Sequence, residues 1–168
     1  MDNFAVALLG FYWANRLVES KDESVRHKKV RESFLRFEQL TGYLRFYGKA
    51  DDIMGITRIK KRLLEDTVKI TLGLGMDQQI LSDQASYGLW GLYSSAARDT
   101  GLVQGNDRLL TSLGFTIVES IIQQLGEVAE KLLALMQSQK PLDRGSVTTR
   151  SAVVHEGYPP QERTTTNA

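Results

Sequence analysis

The chain contains no cysteine in its 168 residues. That absence excludes disulfides, thiolate nucleophiles, Cys-ligated zinc and iron–sulfur clusters together, and it suits a reducing, cytoplasmic setting. Histidine is nearly absent, at two residues. His155 lies near the C-terminus and His27 on a charged stretch, and neither has a histidine or carboxylate at ligand spacing. A surface position with satisfied hydrogen bonds is the expectation for His27. Net charge is also scarce. Lys and Arg number 21 against 20 Asp and Glu, leaving +1, so no overall field draws the chain to nucleic acid or an anionic membrane. Long apolar runs are missing too. The segment FAVALLGFYWA, residues 4–14, is shorter than the ~20 residues of a membrane span. It lacks the basic flank and small-residue cleavage site of a signal peptide, so a buried helix and no membrane partner are expected.

What the chain does have is enough apolar material for a core. Hydrophobic residues make up 42% and charged residues 24%, ordinary values for a globular domain that needs no metal or crosslink. The length suits one domain and a tail. Charge is unevenly placed: RHKKVR at 26–31 and RIKKR at 58–62 are basic clusters interrupted by acids. A solvated helix face is one reading of each, and phosphate contact the other.

Periodicity predicts a helix over 4–19, apolar nearly all round and therefore central. A polar break follows at 21–24, with Asp22 and Ser24 as caps. Phe34, Phe37, Leu40, Thr41, Leu44 and Tyr47 recur at three- and four-residue steps, predicting a helix over 25–47 that ends at a left-handed Gly48. Gly42 inside it marks a close helix crossing. A third helix is expected over 53–72, with Ile56, Ile59, Leu63 and Ile70 on one side and the basic cluster on the other. Gly73 and Gly75 end it. After a short segment at 77–84 come a helix over 86–99, a turn at 104–107 and a closing helix over 112–138, stepping through Ile117, Ile121, Leu125, Val128, Leu132 and Leu135 until Pro141. From Leu142 the chain is rich in Ser, Thr, Arg, Pro and Gly, without periodicity, and is expected to be disordered.

The stretch from Ser86 to Val118 carries the most specific pattern. SYGLWGLYSSAARDTGLV is followed by QGND and then RLLTSLGFTIV. Val103 and Leu109 fall in two short strands. Asn106 and Asp107 form the tip, where Gly105 and Asn106 tolerate positive φ, and Thr111 caps the next helix. This order, with its Leu110-Thr111-x-x-Gly114 run, resembles the second half of a winged helix. The resemblance implies a β-hairpin wing and a reader helix. A wheel of that helix puts Ala85, Leu89, Leu92, Tyr93 and Ala96 on the core face. Tyr87, Trp90, Gly91, Ser94 and Arg98 fall on the opposite face. That second face is poor in the Arg, Lys, Asn and Gln that read bases, and Arg98 and Arg108 are only two cations for phosphate. Aromatic and small residues suit a protein contact, and burial of Tyr87 and Trp90 against the second helix is the simplest alternative. The chain also resembles a group of bacterial proteins encoded near anti-phage defence genes. The resemblance rests on the aromatic N-terminal helix, Phe34-Leu-Arg-Phe-Glu38, Ile53-Met-Gly55, Gly88-Leu-Trp-Gly91 and Leu110-Thr-x-x-Gly114. There these parts follow a further N-terminal segment, which implies that this chain is part of a longer protein; no chemistry carries over.

Catalytic patterns are sparse. Asp51-Asp52 and Glu65-Asp66 are adjacent carboxylates that point apart on a helix. Gly73-Leu-Gly75 lacks the Lys-Ser/Thr of a phosphate loop. Tyr158-Pro159-Pro160 is a short proline segment that a proline reader could dock. The sequence thus predicts a mainly α domain over 1–140, a helical bundle with a small β-hairpin wing whose 86–138 part is winged-helix-like, and a disordered tail over 141–168. The expected function is a non-enzymatic interaction module with a protein partner or a second copy, without cofactor or metal. The alternative is a winged-helix DNA binder. The residues expected to carry either role are Tyr87, Trp90, Ser94, Arg98 and Arg108, joined by Arg58, Lys60, Lys61 and Arg62 for nucleic acid.

Overall fold

The computed structural model describes residues 2–50, 52–64, 69–138 and 140–143. They form a mainly helical fold with two small antiparallel sheets. Helix α1, Asn3–Arg16, starts where the Asp2 carboxylate accepts the Ala5 N–H at 2.8 Å. Eight of its residues from Val6 to Ala14 are buried. It is the central helix its all-round apolarity predicts, in contact with α2 (Glu23–Tyr47), α5 (Leu89–Asp99) and α6 (Ser112–Leu125).

Asp22 caps α2, accepting from Val25 N at 3.0 Å, as expected. Gly48 does cap its end, but with φ −74°. The left-handed residue is Lys49, φ 57°. Gly42 lies where a β-carbon would sit 3.0 Å from Ile59 of α3 (Ile56–Leu64), so the close crossing is real. Helix α3 is shorter than the periodicity predicts. Its pattern does not carry to 72, because Lys69–Ile70 are strand β1, paired with β4, Leu142–Asp143. The register sets Ile70 opposite Leu142, both buried, and Lys69 opposite Asp143. Leaving the helix lets Ile70 join Leu142 in the core, and the opposite charges favour that register. Leu142 and Asp143, the start of the expected tail, therefore belong to the fold. The rest of it, including His155 and the Tyr158-Pro-Pro160 segment, lies outside the described residues. So do Asp51 and the Glu65-Asp66 pair.

The expected helix over 86–99 is two helices, α4 (Gln84–Tyr87) and α5, broken at Gly88. At Gly88 a β-carbon would sit 2.4 Å from the Gln84 carbonyl and 2.6 Å from the Glu38 carboxylate. Strands β2, Val103–Gln104, and β3, Leu109–Leu110, pair antiparallel, with Val103 opposite Leu110 and Gln104 opposite Leu109. The hairpin is where the sequence places it. The positive φ angles fall on Gly105 (68°) and Arg108 (54°) rather than on Asn106. Thr111 caps α6, accepting from Gly114 N at 3.2 Å. The closing helix is also two: α6 ends at Gly126, φ 52°, and α7 runs over Glu127–Ser138. The break lets Ala129, Leu132 and Met136 of α7 turn inward, with α7 packed on α2.

The core centres on rings. Phe11 stacks on Phe34 at 4.9 Å, Trp90 meets both edge-on at 5.5 and 5.2 Å, and Trp13 meets Phe37 edge-on at 5.5 Å.

Candidate functional site

Against a single 86–98 wheel, Leu89 is buried and Tyr87 and Arg98 are exposed as expected, but Trp90 and Ser94 have changed places with Leu92 and Ala96. Leu89, Trp90, Ser94 and Ala97 are buried, whereas Leu92 is 54% exposed and Ala96 is exposed. Restarting the helix at Leu89 turns Trp90, Ser94 and Ala97 toward α1 and α2. Trp90 is 5% exposed and is a core residue. Ser94 can be buried because its hydroxyl donates to the Trp90 carbonyl one turn back and accepts from Arg108 Nε at 2.9 Å. Tyr93 is half-buried against Phe4 at 5.7 Å. Tyr87 projects outward, 64% exposed.

Arg108 lies with its guanidinium over the Trp90 ring, 4.5 Å from the centroid, and Nη1 donates to the Asn106 carbonyl. Burial and the charges of Arg98 and Arg31 push its pKa below the usual arginine value, while Asp107 pulls the other way. The structure thus brings Trp90, Ser94, Arg98 and Arg108 together. It does not add the 58–62 cluster to them. Arg58 donates to the Leu81 carbonyl at 2.8 Å, and Arg62 donates to the carbonyls of Gln78 and Gln79 at 2.6 and 2.7 Å. Those two arginines fasten the loop before α4. Lys60 and Lys61 are exposed.

Two polar clusters escaped the sequence reading. The first ties the hairpin tip to the body. Asp107 accepts from Arg26 Nε at 3.0 Å and pairs with His27 Nδ1 at 2.9 Å, and its carbonyl accepts from Asn15 Nδ2 at 2.7 Å. Arg26 also donates to Asn15 Oδ1 and to the Val18 carbonyl. His27 therefore has a carboxylate partner, supplied eighty residues away. No local spacing could announce it. The second cluster is buried between α2, α4 and α5. Glu38 Oε1 accepts from Leu89 N at 2.7 Å and Oε2 from Gln84 Nε2 at 2.9 Å. Gln84 in turn accepts from Gln39, and Gln39 pairs both ways with the Gly73 backbone. Desolvation raises the Glu38 pKa to about 7, with the Leu89 and Gln84 bonds opposing it. A signal existed here: Glu38 stands on the same apolar stripe as Phe34, Phe37 and Thr41.

Helix α6 buries only Gly114 and Val118. Leu113 is 57% exposed, Phe115 45% and Ile117 38%, and Glu119 is its single charged residue. An open groove of about 850 Å³ lies elsewhere, between the end of α1, α2 and α7. Its Lys29 and Arg36 are balanced by Glu19 and Glu32. Among the described residues no group of three or more His, Asp or Glu could hold a metal ion, and no helix is long and apolar enough to cross a membrane.

No protein-family model, no curated protein and no solved structure matches this chain.

Proposed function

We propose that this protein is a non-enzymatic helical interaction module and that α6 is the element that meets its partner, a second copy of the chain. The observation that carries this reading is the α6 surface, where Leu113 and Ile117 are exposed on a helix with one charge, while Phe115 on its other side meets Tyr12 edge-on at 5.9 Å. Contiguous exposed apolar surface is costly in water and marks contact sites. Leu113 and Ile117, one turn apart, share a face. A face with one charge can meet its own copy without like-charge repulsion, and a two-fold pairing is self-complementary by construction. The titratable group best placed for chemistry by burial, Glu38, has both oxygens committed to protein donors, which also favours a non-enzymatic role. A helix of this length spans ~21 Å and offers less than the roughly 800 Å² per partner of a standard interface. A weak, concentration-dependent dimer is therefore expected. Sedimentation equilibrium tests it: Leu113→Glu with Ile117→Glu should leave a monomer with an unchanged melting temperature. A wild-type chain that stays monomeric at high concentration would overturn the homodimer.

The second reading is a winged-helix DNA binder. It is favoured by the order α5, β2, β3, α6 with Arg98 and Arg108 beside the hairpin. Against it, the hairpin tip is spent on Arg26, His27 and Asn15, and the exposed positions Leu92, Ser95, Ala96 and Arg98 of α5 offer a single bidentate base reader, the arginine.

A further inference from the structure

We propose that the Glu38 carboxyl is a proton-operated latch on the groove between α1, α2 and α7, acting through Gln84 and Gln39 on its Gly73–Leu74 wall. The device is independent of the α6 face. Gly73 and Leu74 line that groove beside Leu17, Val18 and Met136. Glu38, Gln39 and Gln84 are each at most 1% exposed. A continuous run of hydrogen bonds joins the carboxyl to the wall. Leu89 N donates to Glu38 Oε1 at 2.7 Å, and Gln84 Nε2 donates to Oε2 at 2.9 Å. Gln84 Oε1 accepts from Gln39 Nε2 at 3.0 Å. The Gln39 amide then meets the Gly73 backbone twice, donating to the carbonyl at 2.7 Å and accepting from the N–H at 2.9 Å.

The run has a direction, and backbone groups fix it. Gln84 Oε1 also accepts from Ile80 N at 3.2 Å, and its Nε2 also donates to the Leu35 carbonyl at 2.9 Å. Neither glutamine amide can turn over without setting donor against donor. The run therefore ends on a carboxylate, which only accepts. A protonated carboxyl carries an O–H donor instead. That donor faces either the Leu89 N–H, held in the α5 backbone, or Gln84 Nε2, on a side chain that can move. The mismatch falls on Gln84 and passes to Gln39 and Gly73, because a buried network with one unmatched member is costly throughout. Burial raises the Glu38 pKa to about 7, so the two states exchange near neutral pH. The other groups around the carboxyl hold steady. Arg45 lines the same small cavity but is held by Asn3 Oδ1 of α1 at 2.6 Å and Asp52 Oδ1 at 2.5 Å. Helices α4 and α5 face it with Gln84 and the Leu89 N–H. Asp83, at the start of α4, is exposed and caps Ser86 N.

The test is nuclear magnetic resonance of the full chain across neutral pH. It follows the Leu89 and Gly73 amides and the side-chain amides of Gln84 and Gln39. All four should shift together with a midpoint near 7. On the acid side the Gly73 amide should exchange about tenfold faster, after correction for the intrinsic effect of pH, the equivalent of one hydrogen bond. Glu38→Gln places an amide donor where the proton would stand, and should keep Gly73 in its fast state at every pH. Gln39→Met keeps the volume and cuts the run, so Gln84 and Leu89 should still titrate while Gly73 does not. Wild type and Glu38→Gln decide the matter should Gln39→Met not fold. A Gly73 signal that is silent in the wild type would mean that the proton finds its own acceptor, and would overturn the proposal. A Gly73 titration that persists in Glu38→Gln would overturn it as well.

Discussion

Trp90 has four ring or cation neighbours: Phe11 and Phe34 edge-on, His27 at 6.4 Å and the Arg108 guanidinium. It closes the aromatic core on one side and supports a charged side chain on the other. Trp90→Ala would remove the whole ring from a site it fills, and large-to-small changes of this kind cost ~3–5 kcal/mol. For a chain of this size that is a drop of roughly 10 °C in melting temperature. A thermal melt checks it, and a variant that melts with the wild type would show that the ring contributes little to the core. In the sequence Trp90 reads equally well as a core residue or as a partner anchor. Helix spacing alone could not choose, because the choice turned on where α5 begins.

The β2–β3 hairpin is short, and two residue pairs alone make a marginal ribbon in water. Its anchor is Asp107, which links the turn to α1 and α2. Asp107→Ala would leave Arg26 and His27 without their acid. Losing hydrogen bonds to charged groups that are partly shielded from water costs about 2 kcal/mol. Faster amide hydrogen exchange over 103–110, with α1 and α2 still protected, is the expected signature. Unchanged exchange in the hairpin would mean that the strand bonds alone hold it. The hairpin itself, the Thr111 cap and the Asp22 cap were legible because each is written within a few residues: a glycine turn, a hydroxyl or carboxylate, a helix start. The pairing of β1 with β4 and the Asp107 cluster were not, because each joins residues some seventy to eighty positions apart. The breaks at Gly88 and Gly126 lay between. Both glycines are visible, but glycine inside a helical pattern is often tolerated. At Gly88 a buried carboxylate of another helix made the break favourable.

The stability of the entire domain should depend on Glu38. Its carboxyl titrates near 7 in the fold, against 4.5 for an ordinary glutamate. Because the folded value is the higher one, the folded protein holds a proton that the unfolded chain has already lost. This contribution is fully present below about 4.5 and is lost as pH rises toward 7. The span corresponds to on the order of 3 kcal/mol. Asp22 and Asp83 are shifted the other way by their capping bonds, so their effect falls at more acidic pH, below 3.8, and does not overlap. Guanidinium unfolding between pH 4.5 and 7 should show stability falling in the wild type and a flat profile in Glu38→Gln. An equal slope in both would assign the dependence to another group.

The pairing of Lys69–Ile70 with Leu142–Asp143 also has a consequence for how the chain is made. Strand β1 leaves the ribosome early and its only strand partner among the described residues follows more than seventy residues later. Until then the backbone groups of β1 facing that partner are open to water or to another chain. Closing so long a loop adds contacts of high sequence separation, which slow folding. The local units, α1 with α2 and the β2–β3 hairpin, can form during synthesis. Because β4 is the last described element in the chain, the β1–β4 clasp can close only after every other described element has been synthesised.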